Sequence, residues 1–134
     1  MALKIKGTLL PVRKGARRRK LGTIDVCGQD YEIWEDPNLK IEGECDYTLG
    51  MITLRPQSPS RMADTLIHEV LHAILEASGL GWMLQQRFKL SKAAYRKLDE
   101  DIVRTLSPAL HATLKRAGWL KLPRLPGSPR HRRP

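Results

Sequence analysis

The sequence has no apolar run near the ~20 residues that a bilayer-spanning helix requires, so no spanning helix and no membrane partner is expected. The opening residues, Met1-Ala2-Leu3-Lys4-Ile5-Lys6, lack the apolar stretch of a secretory leader. Cysteine is scarce. Cys27 and Cys45 are too few for a disulfide framework and lie too far apart for a zinc ribbon, so both are expected as free thiols in the cytoplasm. Aromatics make up only 5%, which leaves a mostly aliphatic core. The 41% of hydrophobic residues is enough for one such core, and 134 residues fit one compact domain.

Acids are missing from both ends. Net charge is +10; residues 1–21 hold eight Lys or Arg and no acid, whereas residues 22–60 sum to −6. Residues 61–120 come to +3 and residues 121–134 to +5. Basic runs such as Arg17-Arg18-Arg19-Lys20, and Arg130, Arg132 and Arg133, favour contact with polyanions. They have no interleaved aromatics on which bases could stack, and solvated ends are the plainer reading. Nucleic acid held through the basic termini stays open as a partner.

Three regions are expected. A basic, partly flexible arm covers 1–21, a folded domain covers 22–120, and a basic tail over 121–134, broken by Pro123, Pro126, Pro129 and Pro134, is expected to be disordered. Within the domain, Thr23–Cys27 and Tyr31–Glu35 alternate about the turn residues Gly28-Gln29-Asp30, which predicts a hairpin. A second hairpin joins Glu44–Thr48 to Met51–Arg55 through Leu49-Gly50. After Pro56 the period changes. Ser58-Pro59 is a helix start, and Ala63, Leu66, Ile67, Val70, Leu71, Ile74 and Leu75 recur on one apolar face up to a cap at Gly79. Residues 80–98 are irregular and basic. Asp99 is the expected cap of a last helix in which Ile102, Val103, Leu106, Leu110 and Leu114 face the core, with Pro108 kinking or splitting it. Strands followed by helices make an α+β fold.

His68-Glu69-Val70-Leu71-His72 falls inside the first helix. Side chains four apart share a helix face, so two imidazoles converge on one point, and neutral imidazoles suit Zn²⁺. Glu69, one residue round, reaches a water at an open metal position. Zinc lowers that water's pKa toward ~7 and the carboxylate takes its proton. The bland alternative is a pair of surface histidines, and chance produces this spacing in roughly one chain in a hundred. A catalytic zinc takes a third protein ligand, for which Glu76, Asp99, Glu100, Asp101 and His111 are available. Glu76 lies too far along the helix to meet His68. Glu100 is the expected ligand, although the acids at 99–101 also suit the start of a helix.

The segments Ile24-Asp25-Val26, Tyr31-Glu32-Ile33, Gly43-Glu44, Asp46-Tyr47, Ile52-Thr53-Leu54 and Asp64-Thr65-Leu66-Ile67-His68-Glu69-Val70-Leu71-His72-Ala73-Ile74, and again Leu98–Leu106, resemble small phage and prophage metallopeptidase-like proteins. These are minimal zincins of the ImmA/IrrE and SprT-like kind. The resemblance implies a small antiparallel sheet packed against the HExxH helix and a further C-terminal helix. It implies that Glu100 is the acidic ligand and that the strand ending in Leu54 is the edge along which an extended peptide lies. It also implies a place in the cytoplasm of a bacterial host. No C-terminal zinc ribbon follows, and Leu71 stands where the ImmA/IrrE group more often has Gly.

The expected function is zinc-dependent hydrolysis of peptide bonds in a protein or peptide substrate. Zn²⁺ sits on His68, His72 and Glu100, Glu69 is the general base, and Tyr95, Arg104 or His111 faces the oxyanion. Two alternatives stand beside it: a catalytically silent, metal-stabilised binding protein, and a DNA-associated protein of the SprT-like kind.

Overall fold

The computed structural model describes residues 17–118. Their elements are β1 (Arg19–Val26), β2 (Gln29–Glu35), β3 (Gly43–Asp46), β4 (Met51–Leu54), α1 (Pro59–Ala77), α2 (Leu80–Phe88) and α3 (Lys92–Arg116). The α+β class agrees with the sequence pattern. Residues 1–16 of the arm expected over 1–21, and the tail over 121–134, lie outside the described residues, while Arg19–Leu21, counted with the arm, belong to β1.

The first hairpin turns on two residues, not three. Cys27 and Gly28 both take positive φ, 53° and 83°, the two-residue geometry whose twist suits the flanking strands. The Gly28 N–H donates to Asp25 Oδ1 at 2.8 Å. In the second hairpin the Asp46 carboxylate accepts from the N–H groups of Thr48 and Leu49, at 2.9 and 3.0 Å. Gly50 closes that turn at φ 63°.

The sheet is mixed rather than antiparallel. Its order is β1-β2-β4-β3, and β2 runs parallel to β4 from Glu32 opposite Met51 to Glu35 opposite Leu54. Residues 36–42 carry the chain to the far edge, and β4 returns into the lane between β2 and β3. Alternation within a strand says which side chains are buried but not which strand lies beside it, so the crossover left no mark in the sequence. The strand ending in Leu54 is internal rather than an edge, and among the described residues the edge strands are β1 and β3.

α1 packs across the sheet, touching β1, β3, β4 and both other helices. Val26, Tyr31, Ile52, Leu54, Met62 and Ala73 form the buried core. Each large side chain there contributes roughly 1.5–3 kcal/mol by leaving water. α1 begins at Ser58-Pro59 and ends where Gly79 takes φ 75°, as expected, but Ile74 is exposed.

The segment 80–98, expected to be irregular, holds α2 and the first turns of α3. Ser91 Oγ accepts from the Ala94 N–H at 3.1 Å and caps α3 well before Asp99, the expected cap. The helix continues through Pro108 without a split. Its inner stripe also differs from the expected one. Tyr95, Asp99, Val103, Ser107 and His111, spaced by four, are all buried or half-buried, while Leu106 and Leu110 are exposed. The inner stripe carries three polar residues, so apolar periodicity pointed one residue round the helix.

Candidate metal centre

α3 runs back along α1, so three successive turns of α1 meet it: His72 with Asp99, His68 with Glu100, and Asp64 with His111. The HExxH spacing puts His68 and His72 one turn apart on α1, their rings edge to face with centroids 4.9 Å apart. Their Nε2 atoms stand 3.2 Å from each other. Glu100 reaches both, with Oε1 at 3.3 Å from His68 Nε2 and Oε2 at 3.1 Å from His72 Nε2. One donor atom from each residue therefore falls in a single cluster that could hold a metal ion.

The donor chemistry fits zinc. Metal–nitrogen bonds of ~2.0–2.1 Å in a tetrahedron place neighbouring donors about 3.3 Å apart, close to the separations found here. His72 Nδ1 lies 2.9 Å from Asp99 Oδ2. A proton on that nitrogen donates to the carboxylate and leaves the Nε2 lone pair for a cation, the arrangement that orients metal-bound histidines. Burial, and then the neighbouring His72, push the His68 pKa down and favour the neutral imidazole a metal needs.

Glu69 is buried beside this cluster. Burial, followed by the charges of Glu100, Glu44 and Asp99, raises its carboxyl to about 7. That value is suited to taking and returning a proton near neutral pH. Gly43, at the start of β3, allows this packing: a Cβ there would stand 2.6 Å from Thr65 Cγ2 and 3.2 Å from Glu69 Cγ. Strand and helix can approach so closely only at glycine.

The other acids and donors separate clearly. Glu76 and Asp101 are exposed and outside the cluster. Asp99 neither caps the helix nor joins the cluster; it holds His72. His111 is engaged by Asp64. Tyr95 packs its ring over Gly81, away from the cleft, whereas Arg104 lines the cleft and its Nε donates to Glu100 Oε1 at 3.1 Å.

The cluster opens into a cleft of about 880 Å³, walled by Gly43, Cys45 and Tyr47 on one side and by Arg104, Ser107 and Pro108 on the other. The β3 wall was not anticipated. Its one sequence signal was a glycine opening a short strand that alternates toward Cys45 and Tyr47. Burial pushes the Cys45 thiol up to about 12, and also raises the Tyr47 phenol, so both stay protonated. None of the described helices is long and apolar enough to cross a membrane.

Comparison with known proteins supplies no neighbour: no family model, no curated protein and no solved structure matches the chain.

Proposed function

We propose that this protein is a zinc-dependent peptidase of minimal zincin type, acting on an extended peptide segment of a protein substrate. One observation carries the proposal: three donors, two imidazole nitrogens and a carboxylate, converge at 3.1–3.3 Å beside a buried glutamate. His68, His72 and Glu100 would hold the ion. Bound zinc supplies Lewis acidity and makes water nucleophilic near neutral pH. Asp99 keeps the His72 ring in the tautomer that offers Nε2. Glu69 accepts a proton at its carboxylate as water attacks the scissile carbonyl, then returns it to the departing amine. Arg104 and the protonated Tyr47 are the donors on the cleft walls that can face a developing oxyanion. β3, an edge strand among the described residues whose Gly43 and Cys45 line the cleft, offers backbone groups to an extended peptide.

Metal analysis of the full chain beside His72→Ala and Glu69→Gln tests this function, together with an unbiased screen for cleaved peptides. The expected result is one zinc per wild-type chain, loss of zinc in His72→Ala, and zinc without cleavage in Glu69→Gln. Wild-type protein that carries no metal when prepared without chelators would sink the proposal.

A second reading draws on the division of donors between two helices, two from α1 and one from α3. A metal there would staple α1 to α3 and stabilise a binding protein that performs no turnover. A biological effect that survives Glu69→Gln would favour this reading.

A further inference from the structure

α2 leaves much of its apolar surface in water. Trp82 is 68% exposed, Phe88 60%, Met83 46% and Leu80 39%, and Gly81 is the only residue of the helix that is buried. The surrounding charge has one sign. Between Ala77 and Leu98 the chain holds Arg87, Lys89, Lys92, Arg96 and Lys97 and no acid. All five are exposed, and none has an ion-pair partner among the described residues. This surface is separate from the cleft, which no residue between 80 and 98 lines.

We propose that α2, with the start of α3, is an interfacial anchor for an anionic lipid surface. The five cations select a negatively charged partner and oppose pairing with a second copy of the same basic surface. Among anionic partners, the aliphatic side chains decide. Leu80 and Met83 gain by entering the boundary between headgroups and acyl chains, whereas neither offers a face on which a nucleic-acid base could stack. An indole such as Trp82 settles at headgroup depth, and Lys and Arg stems lie along apolar surface while their charges reach phosphate. At nine residues α2 spans roughly 13 Å and lies in the plane of the interface. The expectation of no membrane partner came from the lack of a spanning run, which does not bear on contact of this kind.

The proposal stands independently of metal or turnover, and sedimentation of the full chain with vesicles tests it. One set of vesicles mixes phosphatidylglycerol with phosphatidylcholine, and the other is phosphatidylcholine alone. Binding is expected to the mixed vesicles only. It should weaken roughly tenfold or more in Trp82→Ala through lost apolar burial, and about fivefold for each charge removed in Lys89→Gln and Lys92→Gln. Phe88→Ser, at the other end of the helix, is a second variant whose site is exposed. Three outcomes overturn the proposal. These are no binding to the mixed vesicles; wild-type binding by both Trp82→Ala and Phe88→Ser, which assigns the affinity to the basic termini; and binding of a thymidine oligonucleotide through Trp82 more tightly than the vesicles, which assigns the surface to nucleic acid.

Discussion

Asp99 Oδ2 lies 2.9 Å from His72 Nδ1, and this contact determines which nitrogen of His72 faces His68 and Glu100. The other oxygen of Asp99 is buried with no hydrogen-bond partner among the described residues, so the carboxylate is committed to the histidine. Asp99→Ala should weaken zinc binding about 10–100-fold, as loss of a partner behind a metal-bound histidine does elsewhere. Asp99→Asn, whose amide oxygen can still accept from Nδ1–H, should lose less. Competition against a chromophoric chelator measures both, and equal affinity in all three proteins would show the contact to be idle.

Stability of the metal-free protein should depend on pH through Glu69. Its folded carboxyl titrates at about 7, against an ordinary value of 4.5. Below the lower value it is neutral in both states. Between the two values the unfolded chain releases its proton first, so stability is lost as pH rises, by about 3 kcal/mol at pH 8. His68, with its pKa pushed down, acts in the opposite sense and loses stability as pH falls. The difference between wild type and Glu69→Gln isolates the glutamate. In thermal melts with chelator present, that difference should change between pH 5 and pH 8, and a constant difference would contradict the buried-carboxyl account.

Gly43→Ala should destabilise the fold by about 1–3 kcal/mol, because the new methyl group meets Thr65 Cγ2 at 2.6 Å. Thr65→Ser removes that methyl carbon. Denaturant titration of the double variant should therefore recover much of the loss, and strict additivity of the two single effects would place the cause elsewhere.

The two thiols should differ in reactivity. Cys27 is exposed, whereas Cys45 is partly buried with its pKa raised to about 12. At pH 8 only about one Cys45 in ten thousand is then thiolate. Iodoacetamide should label one cysteine promptly and the other only on unfolding, with peptide mapping to assign them. Equal labelling rates in the native protein would contradict the burial of Cys45.

Much of this architecture was legible from residue patterns. Both hairpins, the Ser58-Pro59 start of α1 and its stop at Gly79 follow from local backbone chemistry, which acts within a few residues. The meeting of Glu100 with His68 and His72 was anticipated through its place in the chain, but the helix that presents it starts at Ser91 and not at Asp99. What stayed hidden depended on partners distant in sequence. The parallel pairing of β2 with β4 leaves no trace in either strand. The inner stripe of α3 carries Asp99, Ser107 and His111, so the apolar residues Leu106 and Leu110 mark a face that is exposed. Gly43 and Tyr47 became site residues only once β3 lay beside α1.

The position of β4 has a consequence for how the chain assembles. A strand made last but seated in the interior cannot be added to a finished rim. During synthesis, β2 and β3 have both left the ribosome before the strand that joins them exists, and each exposes unpaired backbone until it arrives. β4 therefore completes the sheet by pairing on both of its sides, and a nascent chain stopped before Met51 holds only the first hairpin in its final pairing.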